Sequence, residues 1–150
     1  MVEISGELVG SVAALEHPTK NKKLNYGEIF LRDNVPVMIY LITQKRYEIV
    51  KKFLSVCLEL QSANYQTRGV FPTSFVEENG KLIGDYGQRS IGRITSADAS
   101  LWWPILCWYY VNKSGDYAFG KSQSVQRGIQ LLLDLCLLYT SPSPRDIRRS

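Results

Sequence analysis

The chain has one histidine, His17, and three cysteines, Cys57, Cys107 and Cys136, in 150 residues. A single histidine rules out a histidine-rich metal site, and its place before Pro18 in a polar stretch reads as an exposed loop. The cysteines show neither CxxC spacing nor the density of a disulfide scaffold, so they read as buried thiols in a reducing compartment. No apolar run approaches the roughly 20 residues that span a bilayer, and the N-terminus lacks the pattern of a signal peptide. These absences predict a soluble, cytoplasmic protein without membrane partners. Phosphate-loop spacing is missing, and a GxGxxG reading fails. A basic stripe is also lacking. The net charge of +4 falls to +2 without residues 136–150, where Arg145, Arg148 and Arg149 face only Asp146. No nucleic-acid partner is therefore expected.

What is present is apolar and aromatic: 45% hydrophobic residues, 11% of the chain aromatic, enough for one small domain to bury a core. Ile4, Leu8, Val9 and Val12 suggest a short strand or helix, followed by a loop with Lys20, Lys22 and Lys23. A helix is expected from about Pro36 to Thr43, capped by Asp33 or Asn34, with Pro36 in its first turn. A second is expected from about Arg46 to Gln61. Its face through Ile49, Phe53, Val56 and Leu60 is widened by Val50, Leu54, Cys57 and Leu58, which implies burial against more than one neighbour. Asn79-Gly80 between Phe75-Val76 and Lys81-Leu82-Ile83 predicts a hairpin with a type I′ turn. A third helix, from Asp98 to Asn112, has an apolar face through Leu101, Ile105, Trp108 and Val111. After the turn at Lys113-Ser114-Gly115-Asp116, Ser122 caps a last helix bearing Val125, Ile129, Leu132 and Leu133.

The chemistry concentrates in Ile94-Thr95-Ser96-Ala97-Asp98-Ala99-Ser100-Leu101-Trp102-Trp103. A carboxyl group beside large aromatic faces suits a carbohydrate site, because the faces stack on a sugar ring while the acid protonates the leaving oxygen. The same residues fit a plainer reading, with Asp98 as a helix cap and both indoles as core. Arg32-Asp33 divides in the same way. A guanidinium and a carboxylate side by side can bind adjacent sugar hydroxyls, or they can be a cap and a surface ion pair.

Taken together, Leu24-Asn25-Tyr26 to Arg32-Asp33, Phe71-Pro72-Thr73-Ser74-Phe75, Asp85-Tyr86-Gly87 to Ile91-Gly92-Arg93, and Asp98 to Trp102-Trp103 resemble the neutral/alkaline invertase family over about Leu24 to Leu135. The resemblance implies an all-α fold, here a partial (α/α)6 barrel with a β-hairpin insertion. It also implies hydrolysis of the disaccharide sucrose with inversion and without cofactor or metal, in a parent that can be a homo-oligomer. Carried over by position, the general acid falls on Asp98. Tyr26, Arg32 and Asp33 match the sugar-pocket segment, and Ser74, Arg93, Trp102 and Trp103 match segments lining the same cleft. Where the family usually reads Val-Asp-Ser-Gly, this chain has Ala97-Asp98-Ala99-Ser100, and Gln88 replaces a common glutamate. The family's catalytic base lies beyond Leu135, so the fragment is expected to be inactive alone. Other readings are a fragment of another (α/α)6 α-glucosidase, or a non-catalytic helical sugar-binding or interaction module.

Cys136-Leu-Leu-Tyr-Thr-Ser-Pro-Ser-Pro-Arg-Asp146 matches one reading frame of a transposon-type sequencing adapter, codon for codon. It predicts that the natural sequence stops near Leu135, or at Leu137 if a continuing helix reads Leu135-Cys136-Leu137, and that residues 136–150 are a disordered tail without function.

Overall fold

In the computed structural model the described residues are 1–12, 27–63, 68–86 and 97–140; for 97, 98 and 138–140 the description covers the backbone. Tyr26, Arg93, His17 and the lysines at 20, 22 and 23 lie outside them.

The chain opens with a hairpin of β1 (Val2–Ile4) and β2 (Glu7–Gly10). Ser5 and Gly6 both adopt positive φ, the conformation that closes a two-residue loop with the right twist. β3 (Ile29–Phe30) pairs antiparallel with β4 (Ser74–Glu78), which pairs with β5 (Lys81–Asp85). Asn79 and Gly80 both have positive φ, as the expected type I′ turn requires. The all-α expectation is corrected accordingly: the described residues are mostly helical but hold two small antiparallel sheets. Turn chemistry explains the difference, since Ser5-Gly6 builds a hairpin from a stretch with ambiguous periodicity and the Asn79-Gly80 hairpin recruits β3 as a third strand.

Helix α1 (Leu31–Thr43) starts five residues earlier than expected, directly from β3. Neither Asp33 nor Asn34 caps it. Phe30 is the N-cap and makes no side-chain cap bond, while the Leu31 N–H donates to the Thr73 carbonyl at 2.9 Å. The neighbouring strand segment thus replaces a capping side chain for that donor. Asn34 is instead buried and ties β2 to α1. Its Oδ1 accepts from the Ser11 N–H at 2.8 Å, and its Nδ2 donates to the Ser11 and Phe30 carbonyls at 2.9 and 2.8 Å.

Helix α2 (Tyr47–Glu59) buries Ile49, Val50, Phe53, Leu54, Val56 and Cys57, the wide face its sequence predicts. It packs against β2, α1, α3 (Ala97–Ser114) and α5 (Gln123–Thr140). Gly115, at φ 74°, ends α3 with its N–H on the Val111 carbonyl at 2.9 Å. A short helix, α4 (Tyr117–Gly120), follows with Asp116 as its cap. Ser122 Oγ accepts from the Val125 N–H at 3.4 Å, so the expected cap of α5 is present. That helix runs through Cys136 to Thr140, and Cys136 packs on the core.

The orientation of α3 also differs from expectation. Leu101, Ile105 and Trp108 are 49%, 53% and 66% exposed, whereas Ala99, Trp103, Leu106, Cys107 and Tyr110 are buried. Apolar residues surround this helix, so helical spacing allows two stripes and cannot choose between them. Trp103 decides the choice. Its ring stacks on Phe71 and its indole N–H donates to the Leu54 carbonyl at 3.1 Å, which fixes that stripe inward.

Candidate functional site

The segment Phe71–Ser74 joins the two helix starts that carry the charged candidates. At one end the Phe71 N–H donates to Ser100 Oγ at 3.0 Å, in the first turn of α3. At the other, the Thr73 carbonyl accepts from Leu31 N–H in the first turn of α1. The Thr73 N–H donates to the Asp85 carbonyl at 2.7 Å, so the segment is also held to β5. Ser74 stands opposite Phe30 on one side and Asp85 on the other. Pro72 can lie this close to β5 because Gly84 has no side chain; a Cβ there would stand 3.3 Å from Pro72 Cβ and 3.1 Å from the Tyr86 hydroxyl. That hydroxyl donates to the Leu60 carbonyl, and burial raises the Tyr86 pKa.

This strap, itself one of the four motif segments read from sequence, therefore touches the described parts of the other three: the first turn of α1, Asp85 and the first turn of α3. Arg32 and Asp33 occupy the first turn of α1 and are exposed. Asp98 occupies the first turn of α3, and its side chain lies outside the described residues, as do Tyr26 and Arg93. Ser74 is fully buried and donates its hydroxyl to Glu28 Oε2 at 2.5 Å. Its one proton is thus committed to a protein acceptor.

The two indoles separate. Trp102 is 38% exposed, while Trp103 is 0% exposed with both its faces and its N–H engaged in the core. As placed, Trp103 presents no surface to a ligand, because docking of α3 on α2 uses that side chain.

Glu28 and Ser100 had no assigned role in the sequence. Glu28 is 8% exposed, and its signal was a carboxylate set immediately before the apolar run Ile29-Phe30-Leu31. Ser100 is 2% exposed and follows the acid by two residues, a spacing that reads equally well as a solvent-facing helix position. Neither role could be found without knowing that residues 71–74 cross both helix starts. A hollow of about 540 Å³ between α2 and α5, lined by Ser55, Gln61, Ser122 and Arg127, contains none of the sequence-predicted site residues. Among the described residues, no group of three metal-ligating side chains occurs, and no helix is long and apolar enough to cross a membrane.

The described scaffold holds the first turn of α1, with Arg32 and Asp33 exposed, and the first turn of α3 against one strap segment, with Trp102 exposed further along α3. The family model for alkaline and neutral invertase matches residues 1–142, and the chain belongs to that family. It is 38% identical over 154 residues to neutral/alkaline invertase 1, mitochondrial, of Oryza sativa subsp. japonica, covering 91% of this chain and 24% of that protein. It is 35% identical over 149 residues to alkaline/neutral invertase CINV2 of Arabidopsis thaliana, covering 91% of this chain and 26% of that protein. For alkaline/neutral invertase C, mitochondrial, of Arabidopsis thaliana the identity is 36% over 154 residues, covering 91% and 23%. The chain thus spans about a quarter of the length of these curated relatives. The relatives' names include mitochondrial and chloroplastic forms, so family membership alone does not assign the cytoplasm.

Proposed function

We propose that this chain supplies the acid-bearing part of an inverting, sucrose-cleaving glycoside hydrolase, with Asp98 as the general acid. The carrying observation is the strap: residues 71–74 hydrogen-bond the first turn of α3, which holds Asp98, and the first turn of α1, which holds Arg32 and Asp33. In this reading Arg32 and Asp33 bind sugar hydroxyls, Tyr26 and Arg93 line the same pocket, Trp102 offers an apolar face, and the buried Ser74 acts from beneath through its bond to Glu28. Trp103 acts from behind, as packing.

Asp98 protonates the glycosidic oxygen as the bond to fructose breaks, and a carboxylate on the opposite ring face removes a proton from the attacking water. The two carboxyl groups stand roughly 6.5–9.5 Å apart to admit that water. Asp98 must hold its proton when sucrose binds, which calls for apolar surroundings that raise its pKa. We place the base outside these 150 residues, in the remainder of an (α/α)6 barrel whose inner face this end of the helices would join.

The test is a chimera in which residues 1–135 replace the matched segment of the rice relative, assayed with sucrose, maltose and trehalose. Cleavage of sucrose with β-glucose as the first product, reduced about 10²–10⁴-fold by Asp98→Asn, is the expected result. Equal activity in the Asp98→Asn chimera would remove the acid from this residue. Preference for maltose or trehalose would favour another α-glucosidase, and sucrose hydrolysis by purified 1–150 alone would put the base inside this chain.

A further inference from the structure

Ser100 is a small polar residue buried at 2% exposure in an otherwise apolar face of α3, next to Ala99 and one turn from Trp103. Its Oγ accepts the backbone N–H of Phe71 at 3.0 Å, across 29 residues of sequence. Helix interiors disfavour serine, so a buried one bonded to a distant backbone amide reflects a tertiary demand. That amide also opens the strap. One residue later in the strap is Pro72, which has no N–H, and Thr73 is already bonded through both its N–H and its carbonyl. The Phe71 N–H is therefore the strap's backbone donor toward α3, and Ser100 is its acceptor.

We infer that Ser100 is a positioning residue: its hydroxyl fixes the first turn of α3, and with it Asp98, against the strap that also holds the first turn of α1. This rests on the reading of Asp98 as the acid. One turn further along, the Trp103 N–H bond to the Leu54 carbonyl anchors α3 on α2. Phe71 stacks on Trp103 one turn later, at 4.6 Å between centroids, so aromatic stacking sets the distance between strap and helix. The hydrogen bond adds what stacking lacks, namely direction and register. Without it, the first turn of α3, ahead of the Trp103 anchor on Leu54, can shift slightly relative to the strap, and the carboxyl two residues upstream of Ser100 moves with it. Displacements of this size at a reacting group cost about 10²-fold in rate while leaving substrate contacts largely intact.

The experiment has two readouts. In the chain 1–150, the Asp98 carboxyl is titrated by carbon-detected NMR in the parent, Ser100→Ala, Ser100→Thr and Val125→Ala. The last of these is a control for general destabilisation in α5. In the chimera described above, the same variants are assayed for kcat and KM across pH. We expect Ser100→Ala to shift the Asp98 titration and to lower kcat about ten- to a hundredfold with KM little changed. Ser100→Thr, which keeps the hydroxyl, restores both, and Val125→Ala moves neither. An Asp98 titration unchanged in a folded Ser100→Ala chain overturns the inference, as does a shift equally produced by Val125→Ala. Should Ser100→Thr not fold, the Asp98 titration in Ser100→Ala against Val125→Ala alone decides the role of Ser100. A chimera that never cleaves sucrose counts against the proposed function, while the titration still decides the role of Ser100.

Discussion

Phe71 and Trp103 lie nearly parallel, their ring centroids 4.6 Å apart and their planes at 13°. This pair joins the strap to the buried face of α3, and both side chains are fully buried. The Trp103 N–H, directed away from Phe71 to the Leu54 carbonyl, ties the same contact to α2. Three elements therefore meet at one indole, and this is why the second of two adjacent tryptophans is core while the first reaches the surface.

Truncating the two indoles should have very different effects. Trp103→Ala removes a fully buried ring and is expected to cost about 3–5 kcal/mol, enough to unfold a marginal domain. Trp103→Phe keeps most of the apolar volume but loses the indole hydrogen bond to the Leu54 carbonyl, which still accepts within α2, at about 0.5–1.5 kcal/mol. Trp102→Ala, at a half-exposed position, should cost about 1 kcal/mol or less. Urea unfolding followed by far-ultraviolet circular dichroism measures all three. Similar losses for Trp102→Ala and Trp103→Ala would show that α3 is rotated from the orientation described.

The elements legible in the sequence were those whose signal is local. The Asn79-Gly80 turn, the Ser122 cap and the wide apolar face of α2 each depend on residues within a few positions of one another, and each is present. The start of α1 was misplaced because its first donor is satisfied by Thr73, more than forty residues away, so that the local capping residues Asp33 and Asn34 were misleading. The face of α3 was misassigned for a similar reason: both stripes are apolar, and only the contact with Phe71 distinguishes them. At the candidate site, the motif order could be read directly, whereas the roles of Glu28 and Ser100 depend on hydrogen bonds spanning 46 and 29 residues.

The Tyr110–Asp116 bond predicts a specific acid sensitivity. The Tyr110 hydroxyl donates to Asp116 Oδ2 at 2.7 Å, and the Lys51 ammonium stands 3.1 Å from the same oxygen. The Tyr110 bond chiefly, with Lys51 and the Phe119 N–H, holds the Asp116 carboxyl below the usual carboxylate range. A lowered carboxyl pKa stabilises the fold fully above the ordinary aspartate value of about 4, and that share is lost as pH falls through the folded value. Tyr110 is shifted the opposite way, upward, by burial first and by Asp116 second. Its share is complete below about pH 10 and declines as pH climbs beyond. Tyr110→Phe should therefore lower stability by about 1–3 kcal/mol at pH 7, with the gap to the parent narrowing as pH falls toward 2. Denaturation midpoints measured from pH 2 to pH 7 check this, and curves that stay parallel over the whole range would assign the stabilising effect elsewhere.

The outward stripe of α3 predicts how the isolated chain behaves in solution. Leu101, Ile105 and Trp108 recur at i, i+4 and i+7, so their exposed side chains line one side of the helix, with Trp102 beside them. A contiguous apolar strip of this kind is uncommon on a monomeric surface and favours association or dye binding. The chain 1–150 is expected to bind an environment-sensitive apolar dye and to sediment with a concentration-dependent mass. Replacing Leu101, Ile105 and Trp108 with glutamine should suppress both effects without loss of helical signal, because none of the three helps to bury Trp103. A parent that stays monomeric and dye-free at every concentration would mean that this stripe is covered within the chain itself. A triple variant that loses its helical signal would mean that the stripe supports the fold.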